Sequence, residues 1–289
     1  MFGIATEAAL RAFQEVRGLR VDGVCDDLTW TALQEASWEL GDRHLNLRAP
    51  NLRGDDVAEL QRVLGQLGFD TGRVDGIYGP QSERAVRDFQ DNTGLAADGV
   101  CGYETFAALR RVGGRVSDGP PIATVREQQS LRELAPRMAR KRVVLGCFGG
   151  LDVITRTIGR QLRSAGASVA ELDNSDGSAQ AASANRFGAD VYLGLAASEA
   201  CTVSYYEVPG YVSYGGRRLA QLIYEQVFAL ELLVQSPRGM RLPVLRETRM
   251  PAVLLELGPI HAVVAHASAL AEAMTTALRE WVDTPVQPS

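Results

Sequence analysis

Residues 2–36 and 78–112 are versions of one another at an offset of 76. A chain that repeats itself at this length is first of all a stack of small modules. The matches include Phe13-Gln14 with Phe89-Gln90, Gly18-Leu19 with Gly94-Leu95, Asp22-Gly23-Val24-Cys25 with Asp98-Gly99-Val100-Cys101, and Thr29 with Thr105. Ala85, Val86 and Phe89 stand at helical spacing and predict a short helix with one buried face. Asp98-Gly99 predicts a turn, because glycine tolerates positive φ. Thr105 is expected to cap the helix after it, whose apolar face holds Phe106 and Leu109. The second repeat has an extra leading helix, "DDVAELQRVLGQLGF", with Val57, Leu60, Val63, Leu64 and Leu67 on one stripe.

The pattern that runs from this leading helix through Asp75-Gly76, Phe89-Gln90 and Asp98-Gly99 resembles the peptidoglycan-binding-like three-helix module. In the first repeat Met1-Phe2-Gly3 falls on Ile77-Tyr78-Gly79, so the match begins in mid-motif without a leading helix. The expectation is a clipped start that could hide a signal peptide. The repeats are read either as a helical scaffold and protein-docking surface or as binders of sugar or stem peptide. Phe13, Gln14, Asp22, Gly23, Asp75, Gly76, Phe89, Gln90, Asp98 and Gly99 carry the signature.

With 46% hydrophobic and 22% charged residues, the 289-residue chain has the composition of a globular protein of about two domains. A net charge of −5 argues against nucleic acid as a partner. No run of 18 apolar residues predicts a membrane span. Cytoplasmic location is expected, weakened by the abrupt start. The four cysteines, Cys25, Cys101, Cys147 and Cys201, are widely spaced and are expected to be small buried apolar residues.

The expected organisation is a truncated repeat over 1–45, a second repeat over 46–112, a linker over 113–141, an α/β domain over 142–283 and a tail over 284–289. In the α/β domain "RVVLGC", "SVAELD", "DVYLGLA", "TVSYYEV" and "PAVLLELG" read as strands that alternate with helices. The long helix before the last strand aligns Leu219, Ile223, Val227 and Leu230, and a closing helix spans Val263 to Val282. Such alternation predicts a mostly parallel sheet with helices on both faces, and a ligand site at the carboxyl ends of its strands.

"RVVLGCFGG", "ANRFGADVYLGLAAS" and "RMPAVLLELGPIH" give this domain its resemblance to the zinc-dependent N-acetylmuramoyl-L-alanine amidases, which cleave between glycan and stem peptide. The resemblance places the family's two histidine ligands on Phe148 and Ala196. The glutamate ligand falls nearest Leu151 or Asp152, where the family's loop looks deleted. It leaves Glu256 as a vestigial general base, with pairing to Arg246 or Arg249 as its structural alternative. A catalytic zinc needs three protein ligands and an open position for water. His44, His261 and His266 read as surface or capping residues. No cofactor is therefore expected, and zinc only if the chain is an enzyme after all.

Taken together, the repeats and the degenerate amidase domain resemble a group of amidase-like regulators in mycobacteria and related actinobacteria. That resemblance implies a cytoplasmic, non-catalytic protein controlling peptidoglycan precursor synthesis. Its implied partners are the enolpyruvyl transferase that acts on UDP-N-acetylglucosamine, the lipid II flippase and a phosphothreonine-reading FHA protein. Peptidoglycan fragments are a further implied ligand. Thr284, a Thr-Pro in the tail, is the candidate phosphosite. Two alternatives stand beside this reading: an exported zinc amidase, and a non-enzymatic wall-binding protein.

Overall fold

Three helices of the N-terminal repeats each hand a glutamine to the turn ahead of the next helix. The computed structural model describes residues 2–113, 122–133 and 137–283. Its helices here are α1 (Ile4–Val16), α2 (Asp27–Ala36), α3 (Asp55–Gln66), α4 (Pro80–Thr93) and α5 (Tyr103–Gly113). Gln14 on α1, Gln61 on α3 and Gln90 on α4 are all buried. Gln90 Nε2 donates to Asp98 Oδ1 at 2.8 Å, to the Val100 carbonyl at 3.0 Å and to Thr105 Oγ1 at 3.0 Å, while its Oε1 accepts from the Gly99 N–H. Gln14 makes the same set with Asp22, Val24, Thr29 and Gly23. Gln61 repeats it with Asp75, Ile77, Ser82 and Gly76. A buried amide satisfied on both ends fixes the turn, and the turn fixes the angle to the next helix.

Of three sequence expectations here, two change and one holds. Thr105 does not cap α5; it lies inside the helix, and its hydroxyl donates to the Val100 carbonyl and accepts from Gln90. The Asp-Gly turns keep the expected backbone, with φ of 71°, 69° and 74° at Gly23, Gly76 and Gly99. Cys101, Cys147 and Cys201 are buried, but Cys25 is exposed.

The core of the second repeat gathers Val57, Leu60 and Leu64 of α3 with Ala85, Val86 and Phe89 of α4 and Leu109 of α5. Val63 and Leu67 pack against it half-buried. Tyr78 is fully buried, with its hydroxyl on the Gly99 carbonyl at 2.8 Å.

These turns make a pH-dependent contribution to stability. The Val100 N–H and then Gln90 hold the Asp98 carboxyl below its ordinary value, and Val24 and Gln14 do the same for Asp22. A depressed folded-state pKa means that the unfolded chain binds more protons near pH 4. The stabilisation is therefore complete above about pH 4 and is lost as pH falls through the folded values. Because Asp98 is exposed and Asp22 only half-buried, each is worth under ~1 kcal/mol. Asp22→Asn with Asp98→Asn is expected to flatten the fall of the urea midpoint below pH 4, a comparison made by titrating both proteins between pH 2.5 and 7.

The chain forms two compact units, Met1–Arg126 with Val208–Tyr211 and Glu127–Glu207 with Val212–Ser289. The second unit takes in part of α6 (Ile122–Glu133) from within the expected linker. Leu131 joins its core, and Glu127 Oε1 accepts from Ser213 Oγ at 2.7 Å.

A short 3-10 turn (Met138–Arg140) leads into the sheet of the second unit. The strands are β1 (Arg142–Cys147), β2 (Ser168–Asp173), β3 (Val191–Ala197), β4 (Thr202–Val208), β5 (Tyr211–Val212), β6 (Arg238–Met240) and β7 (Ala252–Leu257). Their order is β2-β1-β3-β7-β4-β5, with β6 beside β4. The first four pair in parallel, and β4 runs antiparallel to β7. Helices α7 (Asp152–Ser164), α8 (Gly177–Phe187), α9 (Tyr214–Phe228), α10 (Pro243–Glu247), α11 (Ile260–Ala265) and α12 (Ala267–Asp283) complete the unit.

Alternation along the strands divides the sheet into two faces. Val143, Leu145, Cys147, Leu193, Leu195 and Leu255 join the core formed with α7, α9 and α12. Gly146, Tyr192, Gly194 and Glu256 belong to the other face, where Gln180 of α8 packs. The expected closing helix is two helices, with the break at His266, which caps α11. Leu230 lies beyond the end of α9. Thr284 and the rest of the tail lie outside the described residues. Among the described residues no helix is long and apolar enough to cross a membrane.

Candidate functional site

Strands β1, β3 and β7 finish side by side, and their register lines up three of the positions picked out in the sequence. Cys147 pairs with Leu195, and Ala196 with Glu256. The Phe148 N–H donates to the Leu195 carbonyl at 2.9 Å, which carries the register one residue past the end of β1. Phe148, Ala196 and Glu256 therefore make one row across the carboxyl edge of the sheet. The antiparallel β4 sets Thr202 opposite Glu256, and its hydroxyl donates to Glu256 Oε2 at 2.7 Å. The Phe148 ring lies over Gly194: a Cβ built there would stand 3.2 Å from Phe148 Cε2.

Asp152 is not in this row. It begins α7 and lies with Cys147 and Asp173 on the α7 side of β1 and β2, the three offering ligand atoms within 4.8 Å of one another. The Cys147 thiol is 3.9 Å from Asp152 Oδ1. Sequence spacing could not reveal this group, because Asp173 reaches Cys147 only through the β1–β2 register. Cys147 shares its sheet face with Leu195 and Leu255, opposite to Glu256. A cation held by this group would be screened from the Glu256 carboxylate by the sheet.

The histidines complete no ligand set with the row. His44 and His261 are exposed, and the His266 ring Nδ1 is 2.9 Å from the Ala262 carbonyl. The row offers a metal an aromatic ring, a methyl group and one carboxylate, which do not make the three-ligand set that a catalytic zinc needs. What remains is a carboxylate already engaged by a hydroxyl, beside apolar surface.

Behind the row lies a buried polar network. Tyr192 Oη donates to Gln180 Oε1 at 2.7 Å, and Gln180 Nε2 donates to the carbonyls of Cys147 at 3.1 Å and Asn174 at 2.5 Å. Burial raises the Tyr192 pKa well above that of an ordinary phenol, so it stays a donor. The network fixes the end of β1 and the turn after β2.

In the first unit, a cleft of about 810 Å³ opens between the two repeats. Trp38 and Phe106 form part of its wall, with Glu59, Arg62 and Arg110 among its polar groups. The Arg43 guanidinium stacks 4.4 Å over the Trp38 ring, and Arg110 sits 5.9 Å over Phe106. The separation of Trp38 and Phe106 in the sequence hides the fact that they share a cleft.

The PG_binding_1 family model, a peptidoglycan binding domain, matches residues 1–33 and 53–109. The N-acetylmuramoyl-L-alanine amidase CwlM of Mycobacterium tuberculosis is 37% identical over 296 residues, covering 90% of this chain and 72% of that protein. The N-acetylmuramoyl-L-alanine amidase CwlL of Bacillus licheniformis is 32% identical over 125 residues, 36% of this chain and 35% of that protein. Among solved structures, the amidase Ami1 of Mycobacterium smegmatis aligns with half of this chain and 98% of its own at a TM-score of 0.45 and 14% identity. On the extent and identity of the CwlM match, together with the repeats ahead of the α/β domain, the chain belongs to the family of N-acetylmuramoyl-L-alanine amidase homologues that carry peptidoglycan-binding repeats.

Proposed function

We propose that this chain is a non-catalytic amidase homologue that acts in peptidoglycan metabolism by binding partners. The observation that carries the reading is the row at the strand ends. The row offers no imidazole at Phe148 or Ala196, the positions to which the resemblance assigns the zinc amidases' histidines, and the Glu256 carboxylate is bonded to Thr202. Metal-assisted amide hydrolysis depends on a water acidified to a pKa near 7, which a carboxylate alone does not provide. The proposed role is cytoplasmic control of precursor synthesis through the UDP-N-acetylglucosamine enolpyruvyl transferase. The lipid II flippase and an FHA protein are proposed as further partners, and Thr284 as a phosphoacceptor.

The test has two arms. With excess zinc, hydrolysis of a muropeptide amide is expected to remain at the blank rate. Added to the enolpyruvyl transferase with both substrates, the protein is expected to raise turnover. Zinc-dependent release of stem peptide would overturn the non-catalytic reading. An unchanged transferase rate would remove this partner.

A second reading, binding of peptidoglycan fragments, is supported by the cleft between the repeats. A stem peptide brings carboxylates for Arg62 or Arg110 and methyl groups for the Trp38 wall. Retention on purified sacculi that is lost in Trp38→Ala would support it.

A further inference from the structure

The second unit carries its exposed apolar surface at one end. Among its described residues, the large apolar side chains that stand exposed are Val153, Phe228, Leu233, Ile260 and Val264, with Leu233 95% exposed. Two hydrogen bonds set the helix ends that carry them level. Thr275 Oγ1 of α12 donates to Gln161 Oε1 of α7 at 2.6 Å. Both helices start from the carboxyl edge of the sheet, so an equal count back along each brings Val153 level with Ala267. Trp281 Nε1 of α12 donates to the Gly215 carbonyl of α9 at 2.9 Å. Because α9 runs the opposite way, an equal count brings Phe228 level with Ser268.

Leu233 joins the same end through the backbone. Val234 bridges to Cys201, and the Gln235 N–H donates to the Cys201 carbonyl at 3.0 Å. The Cys201 thiol donates to the Gly258 carbonyl at 3.1 Å, just ahead of Ile260. Ile260 and Val264 are one turn apart on α11 and share a face, while Val263 turns into the core. Glu231, in the turn that presents Leu233, holds a φ of 60°, left-handed backbone that residues other than glycine rarely adopt. Carboxylates rim the surface. Glu225 and Glu231 are exposed on either side of Phe228, and the exposed Glu199 packs its backbone on Gly258. Asp152 precedes Val153, with Arg156 as the cation one turn later. The sheet separates this surface from Glu256, so it is no part of the row.

We propose that this end of the second unit is a docking surface for a cationic amphipathic helix of a partner protein. The helix lays an aliphatic stripe on Phe228, Leu233, Ile260 and Val264, and its Lys or Arg side chains meet Glu199, Glu225 and Glu231. Exposed apolar side chains gathered at one place and rimmed by charge mark an interaction surface, and the sign of the rim selects the partner. An anionic membrane is a poor occupant, because its headgroups repel the same carboxylates that attract a cationic helix. A second copy is a poor occupant too, since a two-fold contact sets each acidic rim against the other. The proposal rests on the partner-binding reading and adds to it where a partner docks and what chemistry that partner brings.

The probe is a labelled helical peptide of about 18 residues, with leucines at helical spacing on one face and arginines on the other. Fluorescence anisotropy with the full chain is expected to show saturable binding. Its Kd should rise at least about tenfold in Phe228→Ser with Leu233→Ser, and again in Glu225→Lys with Glu231→Lys. These four side chains are exposed, so both variants should keep the parent's circular dichroism and melting temperature. Amide exchange in the complex should slow at 226–234 and 259–265. Equal affinity for a peptide with glutamates in place of the arginines would overturn the proposal, as would unchanged binding in either double variant. Capture on phosphatidylserine vesicles that the Phe228 and Leu233 variant abolishes would show a membrane surface instead. A dimer in light scattering that the same variant dissolves would show a second copy, and either result overturns the proposal. Loss of the peptide response sinks the docking surface whatever the transferase assay reads. An unchanged transferase rate beside an intact peptide response removes that partner alone.

Discussion

Replacing Phe148 and Ala196 together with histidine is expected to tighten zinc binding on the order of 10⁴-fold or more, since two ligands at the ~2.5–4 kcal/mol per ligand of structural zinc sites add ~5–8 kcal/mol and ~1.4 kcal/mol is tenfold. Neighbouring strands lie about 4.8 Å apart, and same-row side chains leave the sheet on one side. Two imidazoles at the ends of β1 and β3 would then lie beside Glu256 and supply two of the three protein ligands that a catalytic zinc needs, with that carboxylate at hand for the metal-bound water. The Thr202 hydroxyl would hold the carboxylate from behind. Each single histidine should give an intermediate gain. The measurement is calorimetric titration with zinc in a Cys147→Ser background, which removes any contribution from the Cys147, Asp152 and Asp173 group. Equal affinities for the double variant and its parent would mean that the three positions do not converge, and the reading of the row as a disarmed metal site would fail.

The strand ends were legible in the sequence for physical reasons, while the choice of Phe148, Ala196 and Glu256 as one group came from the resemblance to the zinc amidases. Strand ends are marked by apolar runs that stop at glycine or proline, as at Cys147-Phe148-Gly149 and Leu257-Gly258-Pro259. A parallel sheet then brings such ends together. The helix faces were legible for a similar reason, since Ala85, Val86 and Phe89 carry a 3.6-residue period that packing then honours.

What stayed hidden depends on partners far away in sequence. Thr105 looked like a cap because hydroxyls favour helix starts, yet Gln90, 15 residues earlier, claims its hydroxyl. Cys25 looked buried because its residue type usually is, but it is exposed, whereas its counterpart Cys101 is buried where Leu45 pairs with its backbone. The short β5, β6 and α10 carry too few residues for any period to show. The antiparallel β4 reads like its parallel neighbours because buried strands share one apolar composition.

Gly146→Ala is expected to lower the melting temperature of the second unit by about 10 °C, the size of effect that ~3–4 kcal/mol produces in a domain of 150–250 residues. A methyl group on Cα of residue 146 would fall within the contact radii of both Tyr192 Oη and Gln180 Oε1. Neither neighbour is a flexible surface tip. Tyr192 and Gln180 are 0% and 1% exposed, and the Gln180 amide also holds the carbonyls of Cys147 and Asn174. Moving them costs overpacking strain of roughly 1–3 kcal/mol and leaves buried hydrogen-bonding groups unsatisfied at about 1–3 kcal/mol each. Combining Gly146→Ala with Tyr192→Phe removes one of the two clashing oxygens, and should recover part of the loss. If the single variant melts with the parent, the end of β1 is not clamped by this network. The ordered position of Phe148 would then need another cause.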